Sequence, residues 1–168
     1  MKKTVIIYSF NSNKTTRTAE KIISAFGDIT IERVNAEKID GKTFLAYDNL
    51  ILGVPTWFDG ELPNYWDEFL PELEDLDLKG KTIALFGLGD QKGYPENFGD
   101  AVGIMAELLL QNNAAIVGYT DVEGYSYQSS RAEINGQFYG LLLDQENQAR
   151  LSGERIKNWV EILRKKFM

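Results

Sequence analysis

The sequence predicts an α/β fold, a five-stranded parallel sheet with helices packed on both faces. Three observations carry that expectation. Short, nearly unbroken β-branched apolar runs recur along the chain, as in strands buried on both faces. Between them, apolar residues fall at i, i+3, i+4 and i+7, the spacing of amphipathic helices. The two patterns alternate, and strands joined through helices pair in parallel.

The first strand is Thr4-Val5-Ile6-Ile7-Tyr8. After a polar loop, Ala19, Ile22, Ile23 and Phe26 mark a helix that Gly27 ends. The second strand covers about Ile29 to Val34, and the third, Leu50-Ile51-Leu52-Gly53-Val54, stops at Pro55. Leu62, Tyr65, Trp66, Phe69, Leu70 and Leu73 give the next helix. A fourth strand spans Thr82 to Phe86, followed by a helix presenting Phe98, Ala101, Val102, Met105 and Leu109. The fifth strand begins near Ala115, and the last helix shows Ile156, Trp159, Val160, Leu163 and Phe167. Asp121 to Gly136 breaks the alternation, being rich in Ser, Gln and Tyr, and a second apolar run, Phe138 to Leu143, follows. We read this stretch as an insertion interrupting the fifth strand. With no repeat or linker, residues 1–168 read as a single domain, long enough to bury most of its apolar surface.

Composition narrows the chemistry. Without Cys there is no disulfide, thiolate nucleophile or cysteine-held iron–sulfur cluster, and without His the commonest general base and zinc ligand are missing. Such a chain suits chemistry that resides in a bound cofactor, with no catalytic side chain and no metal. A net charge of −7, from 25 acidic and 18 basic residues, argues against nucleic acid or an anionic membrane as partner. No apolar run approaches the ~20 residues of a membrane span, and Met1-Lys2-Lys3 leads straight into a strand with no signal pattern. The expectation is a cytoplasmic monomer.

Open parallel sheets bind ligands outside the carboxyl ends of their strands. Three loops follow strand ends here. Ser9-Phe10-Asn11-Ser12-Asn13-Lys14-Thr15 opens a helix, whose N–H groups and dipole suit a phosphate. A structural turn with Thr15 or Thr16 as N-cap fits the same residues. Pro55-Thr56-Trp57-Phe58-Asp59-Gly60-Glu61 holds a Trp between Pro and Gly just past a buried strand. Gly87-Leu88-Gly89-Asp90-Gln91-Lys92-Gly93-Tyr94 lets backbone approach a ligand and carries an aromatic ring. A loop Trp can also lid a core, and a glycine-rich loop can merely turn. Together the three loops suggest a planar, phosphorylated ligand.

These residues resemble the flavodoxins, specifically the long-chain group. Thr56-Trp57 with Gly60-Glu61-Leu62 is similar to the family's first flavin loop. Phe86-Gly87, Gly89-Asp90-Gln91, Gly93-Tyr94 and Asn97-Phe98 are similar to its second, and Gly124-Tyr125, Asn135-Gly136, Phe138 and Leu143-Asp144 to its inserted segment and return strand. The resemblance implies strand order 2-1-3-4-5 with FMN where strands 1 and 3 diverge, an arrangement that belongs to the family and is not read from this chain's pattern. It implies a low-potential one-electron carrier with non-covalent FMN, serving reductases or oxidoreductases that also use ferredoxin. Trp57 and Tyr94 would sandwich the ring, and the Phe58–Asp59 peptide would flip towards N5 between the two one-electron steps. Asp90 would hold the pyrimidine edge, with Asn97 and Asp144 near the ribityl chain. The phosphate loop departs from the family's pattern. Phe10 replaces a hydroxyl residue and Asn13 a glycine, Asn being a type that tolerates the left-handed region.

Glu61, Asp67, Glu68, Glu72, Glu74, Asp75 and Asp77 follow the Trp loop and form either an acidic face that steers basic redox partners or a solvated helix face. The alternative function is an FMN-dependent NAD(P)H:quinone or azo-type reductase, whose nicotinamide site Trp57 and Tyr94 would obstruct.

Overall fold

A computed structural model describes residues 1–168. Strand β1 (Thr4–Tyr8) is buried at every position, as its unbroken apolar run requires of a central strand. Helix α1 (Asn13–Phe26) buries Thr15, Thr18, Ala19, Ile22 and Phe26. Gly27 ends it at φ 70°, which glycine adopts without a Cβ clash. Strand β2 (Glu32–Asn35) starts later than its apolar run suggested. Ile31 is buried in the core before the chain comes into register with β1 at Val5↔Glu32, so the run reported burial and not pairing.

A 3₁₀ turn (Ala36–Lys38) and a short helix, α2 (Gly41–Leu45), follow, both absent from the periodicity. Five residues are too few to show a helical repeat. The legible mark is Asp40, whose carboxylate accepts from the Thr43 N–H at 2.7 Å as an N-cap. Strand β3 (Asn49–Gly53) and helix α3 (Asn64–Leu73) match their patterns, with Leu62 just outside the helix. Strand β4 (Thr82–Leu88) runs two residues past the expected end, and α4 (Asp100–Gln111) starts two residues beyond Phe98. Strand β5 (Ala115–Val117) is short.

The sheet order is β2-β1-β3-β4-β5, all parallel. From β1 the chain therefore turns one way to β2, and from β3 the other way to β4. Their carboxyl ends diverge there and leave a crevice.

After β5 the chain forms a small antiparallel sheet of β6 (Thr120–Asp121), β7 (Glu133–Ile134) and β8 (Gln137–Phe138), in the order β6-β8-β7. Asn135 and Gly136, at φ 51° and 79°, make the hairpin turn between the last two. Strand β9 (Leu141–Leu143) then rejoins β4. Residues Thr82–Ala84 of β4 pair with β5, and Phe86–Leu88 pair with β9. The insertion does interrupt the fifth strand, but the run Phe138–Leu143 is two strands and not one. It divides at Gly140, which lies so close to β4 that an added Cβ would stand 2.0 Å from the Leu85 carbonyl oxygen. Insertion side chains reach the return strand's carbonyls. Thr120 Oγ1 donates to Gly140 O at 2.6 Å, and the Tyr125 hydroxyl donates to Leu142 O.

Helix α5 (Ser152–Lys166) buries Ile156, Trp159, Val160 and Leu163, and Trp159 Nε1 donates to Gly118 O at 2.8 Å. One core lies between the sheet and α1 with α5, the other between the sheet and α3 with α4. No helix is long and apolar enough to cross a membrane.

Candidate functional site

The three loops singled out in the sequence meet at the carboxyl ends of β1, β3 and β4. They border a cleft of about 220 Å³ lined by Lys14, Thr56, Leu88, Gly89, Asp90, Tyr94, Gln145 and Glu146. An adjoining recess of about 120 Å³ adds Phe58, Asn97 and Gly99.

The first loop ends at Ser12, an extended N-cap (φ −99°, ψ 111°) whose side chain makes no capping bond. Neither Thr15 nor Thr16 is the cap. Thr15 is buried inside the first turn, where its Oγ1 accepts from Ser12 Oγ at 3.0 Å. The N–H groups of Asn13, Lys14 and Thr15 consequently have no partner within the chain. Three free donors at the positive end of a helix dipole are a ready anion seat. Asn13 does not use the left-handed region, so its replacing glycine costs nothing here. Phe10 is half exposed, its ring 5.0 Å from that of Tyr8, and its N–H donates to Asn35 Oδ1 at 3.3 Å. Asn11 donates to Glu37, and Lys14 pairs with Glu146. Ser9 is buried below the loop.

In the second loop, Trp57 and Glu61 exchange backbone hydrogen bonds of 2.8 and 2.7 Å, which leaves Phe58, Asp59 and Gly60 as the tip. Phe58 is 75% exposed at φ 48°, a region bulky residues avoid. Gly60 sits at φ 94°, and a Cβ there would lie 2.7 Å from Asp100 Oδ2. The positive φ values thus flank Asp59. Thr56 Oγ1 accepts from the Ala101 N–H at 3.1 Å and ties the loop to α4. Trp57 packs edge-on against Tyr65 at 5.8 Å. Its neighbours Thr56 and Phe58 line the cleft walls, while Trp57 flanks them. Pro55 leads into the loop from Val54 at the end of β3.

The third loop is built on two carboxylates. Asp90 accepts from the N–H groups of Gly93 (2.8 Å) and Lys92 (3.2 Å) and from Asn147 Nδ2 (2.8 Å). The Gly93 amide first, then Asn147, holds its carboxyl below the usual range. Asp144 is fully buried and accepts from the N–H groups of Gln91 (3.1 Å) and Asn147 (3.0 Å). It pins the loop to the end of β9 from below the cleft. Gly87 is buried in β4, and Gly89 has no room for a Cβ, which would meet the Phe98 ring at 2.7 Å. Phe98 itself is core, stacked on Tyr127 at 5.3 Å, and Asn97 stands at the recess. The insertion braces this loop from outside. The Gln128 N–H donates to Pro95 O at 2.7 Å, Ser129 Oγ to Glu96 O at 2.6 Å, and the Arg131 N–H to Asp100 Oδ1 at 2.9 Å.

Sequence reasoning missed a fourth wall, Gln145 and Glu146 with Asn147 behind Asp90. Their position directly after the return strand was the available signal, since that strand ends on the same sheet edge. The seven acidic residues near α3 are all exposed and none is ion-paired. Two of them have structural work, with Glu72 accepting from the Gly41 N–H at 2.7 Å and Asp77 from the Lys79 N–H at 3.1 Å.

The flavodoxin family profile matches residues 6–159. A flavodoxin of Nostoc sp. is 40% identical over 166 residues, spanning 99% of this chain and 98% of the relative. One of Buchnera aphidicola is 38% identical over 162 residues, spanning 96% and 95%. The crystal structure of Fusobacterium nucleatum flavodoxin bound to flavin mononucleotide superposes with a TM-score of 0.93 at 30% identity, over 99% of both chains. Fold and full-length likeness agree, and the chain belongs to the flavodoxin family.

Proposed function

We propose that this protein is a long-chain flavodoxin, a low-potential one-electron carrier that holds FMN non-covalently in the cleft. The observation that carries the reading is the fit of the cleft to that group. Three unpartnered amides stand at one end, a glycine-lined backbone wall follows, and exposed aromatic rings border the other end. FMN supplies the redox chemistry by taking up and returning electrons singly.

The amides of Asn13, Lys14 and Thr15, with the Ser12 hydroxyl, bind the phosphate. Trp57 and Tyr94 stack on the ring, and Thr56, Phe58, Asp59, Gly60, Leu88 and Gly89 form its surround. Asn97 reaches the ribityl side. Asp90 and Asp144 hold the third loop in shape, and Asp90 also presents a carboxylate to the cleft. Negative charge in the wall disfavours adding another electron, and each ~1.4 kcal/mol of that penalty lowers a one-electron potential by about 59 mV. Phe58 at positive φ stores roughly 1–2 kcal/mol, beside the Phe58–Asp59 peptide, whose rotation changes ψ of Phe58 and φ of Asp59. Partner redox enzymes with basic faces dock beside exposed Phe58 and the acidic residues of α3. The chain works as a single-domain monomer in the cytoplasm.

The test is titration of the flavin-free protein with FMN, followed by an anaerobic redox titration. One FMN per chain and two separated one-electron steps are expected. Protein that takes up no flavin ends this reading, and rapid reduction by NADPH alone favours the reductase. Phe10→Thr adds one hydroxyl to a seat already served by three amides. It should tighten FMN by one charge-assisted hydrogen bond, ~1.5–3 kcal/mol at most, and leave riboflavin unchanged. An equal gain for both ligands would place the effect on the ring or the fold.

A further inference from the structure

Lys14 and Glu146 pair at the wall of the cleft and join the first turn of α1 to the segment after β9, although 132 residues separate them in sequence. Both line the cleft, and their side chains are 61% and 52% exposed. Lys14 is the one cation in that wall. Of the two carboxylates facing it, Asp90 is committed to the amides of its own turn and to Asn147, whereas Glu146 has Lys14 as its only partner. Glu146 therefore neutralises the ammonium group of Lys14, a residue whose own amide is one of the three in the anion seat.

Resting on the FMN reading, we propose that Glu146 is a specificity-determining residue that competes with the flavin phosphate for Lys14. In the flavin-free chain the carboxylate occupies the ammonium group. A phosphate of about −1.5 to −2 charge then has to draw Lys14 away and lie next to a like charge. Riboflavin, without a phosphate, meets neither obstacle. The exposed pair contributes little to folding, so it can open without disturbing the core.

The experiment is titration of flavin-free wild type, Glu146→Gln, Lys14→Gln and the double variant with FMN and with riboflavin, followed by flavin fluorescence. Glu146→Gln should tighten FMN about fivefold, near 1 kcal/mol, with riboflavin unchanged. Lys14→Gln should weaken FMN more in the Glu146→Gln background than in wild type, because only there is the ammonium free for the phosphate. Inorganic phosphate should raise the unfolding temperature of flavin-free Glu146→Gln more than that of wild type. FMN binding that weakens in Glu146→Gln, or a change shared equally by riboflavin, overturns the proposal and makes Glu146 a ligand-holding group. Wild-type protein that binds neither flavin would instead sink the FMN reading beneath it.

Discussion

Gly103→Ala is expected to cost roughly 2–4 kcal/mol of folding stability, near or above the upper range for overpacking. Gly103 lies in α4 directly beneath the insertion. An added Cβ would stand 2.0 Å from Arg131 O, 2.2 Å from Arg131 C and 2.7 Å from Ala132 N. All three are backbone atoms, so no side-chain tip can swing aside. The helix propensity gained by alanine, ~1 kcal/mol, offsets only part of this. The insertion has to lift, and the contacts of Ser130 with Phe98 O and of the Arg131 N–H with Asp100 go with it. FMN binding should weaken in parallel, because those contacts brace the third loop. Urea unfolding of the variant, beside Gly153→Ala in α5 where a Cβ meets nothing within 4 Å, measures the effect. A urea midpoint equal to wild type would show that the insertion is not packed on α4.

Asp144→Ala is the second large effect, at about 2–4 kcal/mol. The carboxylate is fully buried, and its removal strands the N–H groups of Gln91 and Asn147, each of which loses a charge-assisted bond. Asp144→Asn keeps oxygen at one of the two positions and should fall between. Amide hydrogen exchange gives the sharper readout. Gln91 and Asn147 should exchange much faster in Asp144→Ala, while β1 and β3 change only by the global loss of stability. Uniform acceleration across the sheet would mean that Asp144 supports the core and not the loop.

Asp144 also shows where reading the sequence stops. The family resemblance placed it beside the ribityl chain, at the end of an apolar run that is two strands. Burial decided its role, and burial of a polar side chain leaves no trace in periodicity. Phe98 was marked twice, by the helical apolar repeat and by the resemblance to the second flavin loop, and its ring lies in the core as the repeat expects. The strands and long helices were legible because burial on one or both faces imposes a repeat. The 3₁₀ turn after β2 and α2 were not, being shorter than the repeat they would need. The cleft was legible as three loops because strand ends are visible in sequence. Glu146 and Gln145 escaped because they reach the site through the return of a divided strand, a long-range event. Phe58 carries a positive φ two residues before that of Gly60, a strain set within the hydrogen-bonded closure from Trp57 to Glu61.

The divided fifth strand has a consequence beyond the site. A strand at a sheet's margin normally offers a row of unpaired backbone groups on which another chain can add itself. Here the Leu142 carbonyl in the returning half of the strand is taken by Tyr125, and that of Gly140 just before it by Thr120. Side chains thus do what a sixth strand would do, without presenting a new strand outside it. At the opposite margin β2 is only four residues long and carries Glu32 and Arg33, a short charged rim that gives an incoming strand little to match. At β2 and along the returning half of the fifth strand, the sheet resists self-addition by different means.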